Sequence, residues 1–337
     1  MNKTDAIIIG AGPVGLFSIF ELGLLNLKCH LIDNLDKVGG QCSELYPEKP
    51  IFDIPSRTSI TGQELTDHLM AQARPFEPIF HLGQQAEKIE KIEDNNWKIT
   101  TSLGNVVITR CIVIAGGAGS FVSRKPPIDN IEEYEGKSIF YAVKDKLKFS
   151  GKKIVIVGGG DSALDWTNNL ASSAEVTLIH RRKEFRAAPD SVSKMLDLEI
   201  KGKVKFVIGQ LISFEGDNGM ISKIVCKNDG KVFSIEADYL LPFYGLKMEL
   251  GPIAEWGVNL HENKIKVDTE KFETSEPSIF AIGDINAYPG KLKLILSGFH
   301  EAALMAQQCF RYCNPEKKLV FRYTTVSKDL HKKLGIK

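Results

Sequence analysis

The sequence has few cysteines, and none of them forms a Cys-x-x-Cys pair. Six cysteines occur in 337 residues: Cys29, Cys42, Cys111, Cys226, Cys309 and Cys313. That number is too small for a disulfide scaffold in a chain of this length, and it favours a reducing cytoplasm. Cys309 and Cys313 share one face of a predicted helix, but no second pair of ligands accompanies them. We therefore expect a structural role for these thiols and no metal site.

The chain also lacks a long apolar run and a strong net charge. No apolar stretch approaches the roughly 20 residues that a helix needs to cross a bilayer. The net charge of +1 gives no overall attraction to nucleic acid or to a membrane surface. Residues 1–5 lead directly into a predicted strand, without a cleavable hydrophobic segment. We expect a cytoplasmic protein of about two domains, as its length suggests.

Two glycine-rich turns follow runs of β-branched residues, and each predicts the strand-turn-helix that binds a dinucleotide pyrophosphate. The first has its fingerprint at Gly10, Gly12 and Gly15. The second has it at Gly158, Gly160 and Ala163, with Asp161 and Ser162 opening the helix. The glycines let the backbone turn tightly and approach the phosphates, and the small third residue lets the helix pack close to the strand. The two copies lie 148 residues apart, which indicates a duplicated domain.

The residues that end the next strands differ in charge, and this difference distinguishes the two predicted cofactors. Asp33 lies 18 residues after the last fingerprint glycine of the first copy, where a carboxylate can bind an unphosphorylated ribose. Arg181 and Arg182 lie 18 and 19 residues after the second fingerprint, and Arg186 follows them. Guanidinium groups suit a 2′-phosphate. We therefore predict an FAD-like dinucleotide in the first site and NADPH in the second. A glycine turn beside a solvated basic face is the weaker alternative.

Other segments carry further candidate contacts. The run Val38-Gly39-Gly40-Gln41 to Tyr46 places a glycine pair beside an amide and an aromatic ring. The buried strand 278–282 ends in Gly283-Asp284, whose carboxylate would face a flavin ribitol, and a helix is predicted from about 298 to 308. The alternatives are a packed surface aromatic for Tyr46 and an exposed turn for Asp284.

Five motifs of the chain are G-A-G-P-V-G, G-G-Q-C-S-E-L-Y-P, G-G-G-D-S-A, H-R-R-K-E-F-R-A and F-A-I-G-D. They resemble those of the thioredoxin-reductase-like flavoproteins along essentially the whole chain. The resemblance implies an α/β fold with two Rossmann-like, three-layer ββα domains of the thioredoxin reductase type. The FAD-binding domain would comprise 1–116 and 246–337, and the NADPH-binding domain 117–245.

The chain departs from thioredoxin reductase in its thiols. In that enzyme a Cys-x-x-Cys dithiol lies just upstream of the second glycine motif, and here the corresponding segment 141–148 has no cysteine. The other disulfide-reductase arrangement needs a cysteine five residues after Cys42, where Pro47 stands. A dithiol relay at either position is therefore excluded.

Within this group the chain resembles the type 2 ferredoxin–NADP⁺ reductases, through G-G-Q-C-x-E-L-Y-P and through Tyr323-Thr324-Thr325 near the C-terminus. The resemblance implies FAD contacts at Asp33, Gln41, Tyr46, Ala86, Phe121, Asp284 and Thr325. It implies that Tyr46 and Tyr323 stack on the two faces of the flavin, and that the enzyme is a homodimer. NADPH would then give a hydride to FAD, and electrons would pass singly to an iron–sulfur ferredoxin.

Charge supports a ferredoxin partner weakly. Residues 311–337 carry eight Lys or Arg residues against two acidic ones, about +6, while the remainder is about −5. This basic tail could steer an acidic ferredoxin, or it could be a solvated end. Two other functions stay open: NADPH-dependent reduction of quinones, ferric ions or oxygen by the same flavin, and a redox-sensing flavin module.

Overall fold

The computed structural model describes residues 2–117, 119–320, 323–326 and 328–333. The chain divides into two compact units. Unit 1 comprises Met1–Phe121 and Met248–Lys337, and unit 2 comprises Val122–Lys247. The chain thus leaves the first unit, builds the second and returns to the first.

We number the strands and helices of the described residues in chain order. The strands are β1 (Asn2–Ile9), β2 (Cys29–Ile32), β3 (Pro50–Ile51), β4 (Ile60–Thr61), β5 (Ile79–His81), β6 (Ala86–Lys91), β7 (Trp97–Thr101), β8 (Val106–Ile114), β9 (Ser120–Ser123), β10 (Lys153–Val157), β11 (Glu175–His180), β12 (Val204–Ile208), β13 (Gln210–Asp217), β14 (Met220–Asn228), β15 (Lys231–Glu236), β16 (Tyr239–Pro242), β17 (Leu246–Glu249), β18 (Leu260–His261), β19 (Lys264–Lys266), β20 (Ile279–Ala281) and β21 (Asn286–Ala287). The helices are α1 (Pro13–Leu24), α2 (Gln41–Glu44), α3 (Gly62–Ala73), α4 (Asp161–Leu170), α5 (Pro189–Ile200), α6 (Ile295–Cys313) and α7 (Lys328–Lys333).

A seven-stranded sheet forms the centre of unit 1. Strands β5, β2, β1 and β8 lie side by side and parallel, and β20 pairs in parallel with the end of β8. The β6–β7 hairpin pairs antiparallel with the beginning of β8. Because parallel strands end at the same edge of a sheet, the loops after β1, β2, β8 and β20 meet there. These loops carry the first glycine turn, Asp33, the glycines after Ala115, and Asp284.

Strand β1 shows how the sequence builds this sheet. Ala6 and Ile8 pack into a cluster that includes residues of α1, α3 and α6, whereas Ile7 and Ile9 pack into a second cluster on the other face. All four are buried. Alternate side chains of a strand point to opposite faces, so a continuous apolar run indicates a strand covered on both sides. The buried strand fixes the point at which the glycine turn begins.

Unit 2 repeats this plan on a smaller scale. Strands β12, β11, β10 and β16 form a four-stranded parallel sheet, and β13, β14 and β15 form a three-stranded antiparallel sheet. Val155 and Val157 of β10 pack in one core with Leu211 and Ile224 of the antiparallel sheet. Helices α4 and α5 contact the parallel sheet as well as each other. Unit 2 therefore has the predicted layers of helix, parallel sheet and antiparallel sheet.

Helix α6 is longer than the helix predicted over 298–308. It begins at Ile295 and ends at Cys313. The added residues, 295–297 and 309–313, contain neither glycine nor proline, so nothing in the sequence stops the helix at the predicted points. Met305 and Cys309 lie on its buried face. A bilayer crossing would need a longer apolar stretch than α6 or any other described helix provides.

Candidate nucleotide-binding sites

The turn between β1 and α1 requires glycine at two fingerprint positions. Gly10 has a φ of +112°, and a Cβ there would lie 2.4 Å from the carbonyl oxygen of Ala115. A Cβ on Gly15 would lie 1.9 Å from the carbonyl oxygen of Gly10, so the close packing of α1 on β1 excludes any side chain. Gly12 differs, because a Cβ there would meet no atom within 4 Å. Gly12 lines a cavity formed by the loops of unit 1, which leaves room for a pyrophosphate at the first turn of α1.

Asp33, just after β2, lines the same cavity. Its carboxylate oxygens accept hydrogen bonds from the backbone N–H of Ala11, at 2.5 Å, and of Leu35, at 2.8 Å. Burial raises the pKa of Asp33 above its ordinary value, and these two hydrogen bonds act in the opposite direction. Each oxygen keeps a further lone pair that can accept from a ribose hydroxyl. The backbone therefore holds the carboxylate at the cavity wall, where it would repel a phosphate and accept from a diol.

The glycine pair before α2 brings that helix against the first turn. The backbone N–H of Gly39 donates to the carbonyl of Ala11 at 2.8 Å. Gly40 has a φ of +56°, and a Cβ there would lie 3.0 Å from the Cα of Gly12. Gln41 is the first residue of α2 and lines the cavity. The pair thus carries the Gln41 amide to the wall beside the fingerprint turn.

Tyr46 and Ala86 also line this cavity. Tyr46 is half-buried, and its hydroxyl accepts a hydrogen bond from the Cys42 thiol, with sulfur and oxygen 3.8 Å apart. Burial raises the pKa of Cys42 to about 11, so the thiol stays protonated at neutral pH. Ala86 is buried at the first position of β6. Cys42 therefore packs against Tyr46 as a neutral thiol.

Asp284 lies in the turn that follows β20 and lines the cavity as well. Gly283 before it has a φ of +77°, a conformation that favours glycine. Burial raises the pKa of Asp284, and three ammonium groups act in the opposite direction: those of Lys291, Lys293 and Lys264. The cavity of unit 1 thus has two carboxylates on its wall, Asp33 and Asp284.

A fully buried carboxylate on α6 holds the Asp284 turn in place. Glu301 Oε2 accepts from the backbone N–H of Gly283, at 2.6 Å, and from Nδ2 of Asn286, at 2.8 Å. Its Oε1 accepts from the hydroxyl of Tyr288, at 2.9 Å, and from Nζ of Lys291, at 2.5 Å. A buried charge is tolerated when it is paired and hydrogen-bonded in this way. Sequence reasoning missed Glu301, although a lone carboxylate in an otherwise apolar helical stretch was an available signal.

Two of the residues expected near the flavin, Tyr323 and Thr325, do not lie at this cavity. Tyr323 is 71% exposed, and Thr325 is exposed in a one-turn helix over Thr324–Val326. Neither lines the unit 1 cavity. The backbone of Phe121 belongs to β9, but its side chain lies outside the described part of the chain. The flavin contacts expected of these three residues stay predictions.

The second glycine turn, between β10 and α4, is also closely packed. A Cβ on Gly158 would lie 2.7 Å from the carbonyl oxygen of Phe243 and 2.9 Å from the Cβ of Ala163. Gly160 precedes α4, and a Cβ there would meet nothing within 4 Å. Ser162 follows in the first turn of α4, and all of these residues line the cavity of unit 2. The open position again lies at the N-terminus of a helix, where a pyrophosphate can bind.

The arginine-bearing segment after β11 is tied to this turn by two hydrogen bonds. The backbone N–H of Arg186 donates to the carbonyl of Gly159 at 2.7 Å. The carboxylate of Asp161 accepts from the backbone N–H of Ala188 at 2.8 Å. The predicted phosphate ligands Arg181, Arg182 and Arg186 all line the unit 2 cavity. The structure therefore brings the glycine turn and the three guanidinium groups to one site.

Arg182 has an unsatisfied polar atom. Its Nε is buried and has no hydrogen-bond partner among the described residues. A buried N–H without a partner is costly, and an oxygen of a bound phosphate would satisfy it. The His180 ring stacks on Phe185 with centroids 5.2 Å apart, and a Cβ on Gly159 would overlap the His180 ring. Burial lowers the pKa of His180. The residues of this cavity fit a phosphorylated nucleotide.

Sequence reasoning missed two pairs of cavity residues. Arg124 and Lys125 line the unit 2 cavity, and their signal was a basic pair directly before two prolines. Gln84 and Gln85 line the unit 1 cavity, and their signal was an amide pair directly before β6. Gln84 Oε1 accepts from the hydroxyl of Thr101 at 2.8 Å, which fixes that side chain.

The six cysteines are free thiols, and five of them are buried. Burial raises the pKa of Cys29 to about 12 and that of Cys226 to about 11. Such thiols are protonated at neutral pH and react slowly. Among the described residues, no group of three or more His, Cys, Asp or Glu side chains could hold a metal ion.

The chain is similar in sequence to proteins of known family. Residues 4–306 match the family model described as pyridine nucleotide-disulphide oxidoreductase. A protein of Parvibaculum lavamentivorans named "Ferredoxin--NADP reductase" is 61% identical over 335 residues, which are 99% of this chain and 98% of that protein. A protein of Bradyrhizobium sp. (strain BTAi1) with the same name is 59% identical over 336 residues, with 99% and 98% covered.

Solved structures resemble the chain in fold. Thioredoxin reductase of Lactococcus lactis matches with a TM-score of 0.79 at 26% identity, over 93% of this chain and 99% of that one. Thioredoxin reductase of T. acidophilum has the same TM-score, 0.79, at 22% identity, over 92% of this chain and 98% of that one. These likenesses confirm the predicted fold of the thioredoxin reductase type. The family match over 4–306 shows that the chain belongs to the pyridine nucleotide-disulphide oxidoreductase family.

Proposed function

We propose that this protein is a flavin-dependent ferredoxin–NADP⁺ reductase that binds FAD in unit 1 and NADPH in unit 2. The observation that carries the proposal is the opposite charge of the two cavities. Asp33 and Asp284 line the first, whereas Arg181, Arg182 and Arg186 line the second. Carboxylates accept from the hydroxyls of a ribose or ribitol, and guanidinium groups bind a 2′-phosphate.

In unit 1, the residues present would hold FAD along its length. The pyrophosphate would bind beside Gly12 at the first turn of α1, and the adenosine ribose would bind Asp33. Gln41, Tyr46 and Asp284 would contact the flavin portion. The buried Glu301 would not contact the flavin; it would fix the turn that presents Asp284.

In unit 2, the nucleotide would bind between the glycine turn and the arginine-bearing segment. Gly160 and Ser162 would bind the pyrophosphate at the start of α4. Arg181, Arg182 and Arg186 would bind the 2′-phosphate, and the unpartnered Nε of Arg182 supports this assignment most directly. The hydrogen bonds from Arg186 to Gly159 and from Ala188 to Asp161 would keep these groups in register with the turn.

A flavin converts a two-electron hydride donor into a source of single electrons for an iron–sulfur protein. In this chain no Cys-x-x-Cys pair offers an alternative route for the electrons. The protein's own contribution is therefore to bind, orient and shield the two nucleotides, and we assign no general base. The name "Ferredoxin--NADP reductase" of relatives that are 55–61% identical supports ferredoxin as the acceptor.

The basic tail at 311–337 supports an acidic partner through long-range steering, an effect that salt would weaken. The resemblance to type 2 ferredoxin–NADP⁺ reductases also supports a homodimer that works in the cytoplasm. Light scattering of the purified protein measures the mass, and a monomer at micromolar concentration would contradict the dimer.

The test is NADPH-driven reduction of cytochrome c by the purified protein, with and without added ferredoxin. We expect a yellow protein whose cytochrome c reduction depends strongly on ferredoxin. Rapid reduction of the uncharged quinone menadione with little transfer to ferredoxin would contradict the proposal and favour a quinone reductase. Negligible NADPH turnover with every acceptor would favour a redox-sensing module.

A further inference from the structure

Residues 290–296 of unit 1 read Gly-Lys-Leu-Lys-Leu-Ile-Leu and lie beside the proposed flavin site. Leu294 and Ile295 line the unit 1 cavity. Leu292 is 61% exposed, and Leu294 and Leu296 are exposed as well. We call Leu292, Lys293, Leu294, Leu296 and Lys264 of β19 the Lys–Leu rim. A contiguous group of exposed leucines beside a cofactor cavity indicates an interaction surface.

The part of the Lys–Leu rim that precedes α6 is held between two fixed points. On one side, the side chain of Lys291 is 6% exposed, and its ammonium group lies 2.5 Å from the buried carboxylate of Glu301. On the other side, Ile295 begins helix α6. Leu292 and Leu294 lie between these points, so this part of the rim is anchored at both ends. A surface that is already ordered loses little entropy when a partner binds.

The two lysines of the rim share one nearby carboxylate, that of Asp284, and so keep a net positive charge between them. Lys264 and Lys293 interact side chain to side chain, and neither forms an ion pair with a carboxylate in the described part of the chain. Burial and then the charge of Lys293 lower the pKa of Lys264, while Asp284 acts in the opposite direction. Two ammonium groups that repel each other would gain from the approach of external carboxylates.

This charge distinguishes between the possible occupants of the surface. In a symmetric dimer formed through this surface, the same patch of two copies would meet, and like charges would come together. An uncharged apolar partner would leave the lysines desolvated without a counter-charge. A partner with acidic groups around an apolar centre would cover the leucines and pair with both lysines, which is the usual anatomy of a protein interface.

We propose that the Lys–Leu rim is the docking surface for an acidic iron–sulfur electron acceptor. Leu292 and Leu296 form its apolar centre, and Lys264 and Lys293 pair with carboxylates of the partner. The inference rests on the proposed function, because a one-electron acceptor must bind close to the flavin to oxidise it. The basic tail acts earlier, by long-range steering, whereas the Lys–Leu rim makes the short-range contacts.

Charge reversal tests this surface in the full-length holoenzyme. The variant Lys264→Glu/Lys293→Glu is compared with Lys201→Glu/Lys203→Glu, which replaces two exposed lysines of unit 2 that line neither nucleotide cavity. The two variants change the net charge equally, so long-range effects are matched. A third variant, Leu292→Ser, removes apolar contact without changing charge. Steady-state kinetics are measured with an acidic [2Fe–2S] ferredoxin and with menadione, an uncharged acceptor that reports on the flavin.

We expect Lys264→Glu/Lys293→Glu to raise the KM for ferredoxin about tenfold or more and to reduce its dependence on salt. Leu292→Ser should raise that KM severalfold, and the unit 2 control should change it by less than about twofold. Rates with menadione should stay close to those of the unchanged protein in Leu292→Ser and in the unit 2 control. Lys264→Glu/Lys293→Glu puts two carboxylates near Asp284, so its rate with menadione should fall, but by a much smaller factor than its kcat/KM for ferredoxin. That pattern would assign docking to the Lys–Leu rim.

Three other results would overturn the inference. The KM for ferredoxin could be unchanged, or the rates with menadione and ferredoxin could fall together, which would mean that the lysines act on the flavin site. A change of oligomeric mass in the variants would identify the rim as a contact between copies. If the unchanged protein transfers no electrons to ferredoxin, the proposed function fails, and the docking inference fails with it. If the unchanged protein is active and the KM for ferredoxin is the same in Lys264→Glu/Lys293→Glu, only the docking inference fails.

Discussion

Replacing Arg182 by glutamine should reduce the preference for NADPH over NADH. The buried Nε of Arg182 has no partner among the described residues, and the guanidinium lies with Arg181 and Arg186 in the unit 2 cavity. A hydrogen bond between charged groups, such as guanidinium and phosphate, contributes about 1.5–3 kcal/mol. At about 1.4 kcal/mol per factor of ten, its loss corresponds to a decrease of roughly 10- to 100-fold in kcat/KM for NADPH. NADH lacks the 2′-phosphate, so its kcat/KM should hardly change.

The assay measures kcat/KM for NADPH and for NADH with menadione as acceptor, so that ferredoxin binding does not enter. Arg182→Lys keeps the charge but loses the planar fork of the guanidinium group, so its NADPH/NADH ratio of kcat/KM should lie between those of the unchanged protein and Arg182→Gln. Arg311→Gln is the matched control, because Arg311 lies on α6 of unit 1 and donates to Gln308 at 3.1 Å. If Arg182→Gln leaves the NADPH/NADH ratio within about twofold of its original value, the assignment of the 2′-phosphate to Arg182 is wrong.

Three further predictions concern stability. Thr61→Ala removes the hydroxyl that accepts from the backbone N–H of Glu64 at the start of α3, and it should lower the free energy of unfolding by about 1 kcal/mol in urea denaturation. Lys291→Met leaves the buried carboxylate of Glu301 without its ammonium partner, so it should lower the free energy of unfolding by about 3–5 kcal/mol, and the variant should release FAD more readily on dilution. The double variant Lys291→Met/Glu301→Gln should regain part of the stability and part of the FAD retention. Burial lowers the pKa of His30 and of its hydrogen-bonded neighbour His81 on β5, so the unfolded state binds protons first as the pH falls below 6.5, and the free energy of unfolding should fall with it. His30→Asn should make the free energy of unfolding depend less on pH between pH 7 and 5. An unchanged pH dependence in that variant would count against the assignment.

The parts of the fold that were predictable depend on neighbours in sequence. Gly10 and Gly15 were identifiable because the turn itself requires them. The space at Gly15 is filled by the backbone of Gly10, five residues earlier, and the space at Gly10 is filled by the backbone of Ala115, at the end of the neighbouring strand β8. The capping box at the start of α3 also depends on a four-residue pattern, Thr61-Gly62-Gln63-Glu64, and it forms in the structure. Continuous apolar runs such as that of β1 likewise indicate a buried parallel strand without knowledge of its partners.

The parts that were missed depend on residues distant in sequence. Glu301 holds the Asp284 turn through Gly283, 18 positions earlier. Its apolar surroundings in the sequence mark Glu301 as unusual, but they do not identify its partner. Arg124 joins the unit 2 cavity because its backbone N–H donates to the carbonyl of Gly245 at 3.0 Å, more than 100 residues later. The Lys–Leu rim combines the segment before α6 and the first turn of that helix with β19, and in the sequence its leucines resemble the buried face of a helix. The positions of Glu301, Arg124 and the Lys–Leu rim all depend on contacts between segments that are distant in sequence.

Anaerobic titration of the purified protein with NADPH tests most directly the claim that FAD is the only electron carrier between NADPH and the acceptor. The absorbance of the flavin is followed as NADPH is added. Because a flavin takes up two electrons and the chain has no Cys-x-x-Cys pair, about one equivalent of NADPH per flavin should complete the reduction. Consumption of about two equivalents would reveal a second two-electron carrier, and a protein that neither contains nor binds FAD would contradict the account at its base.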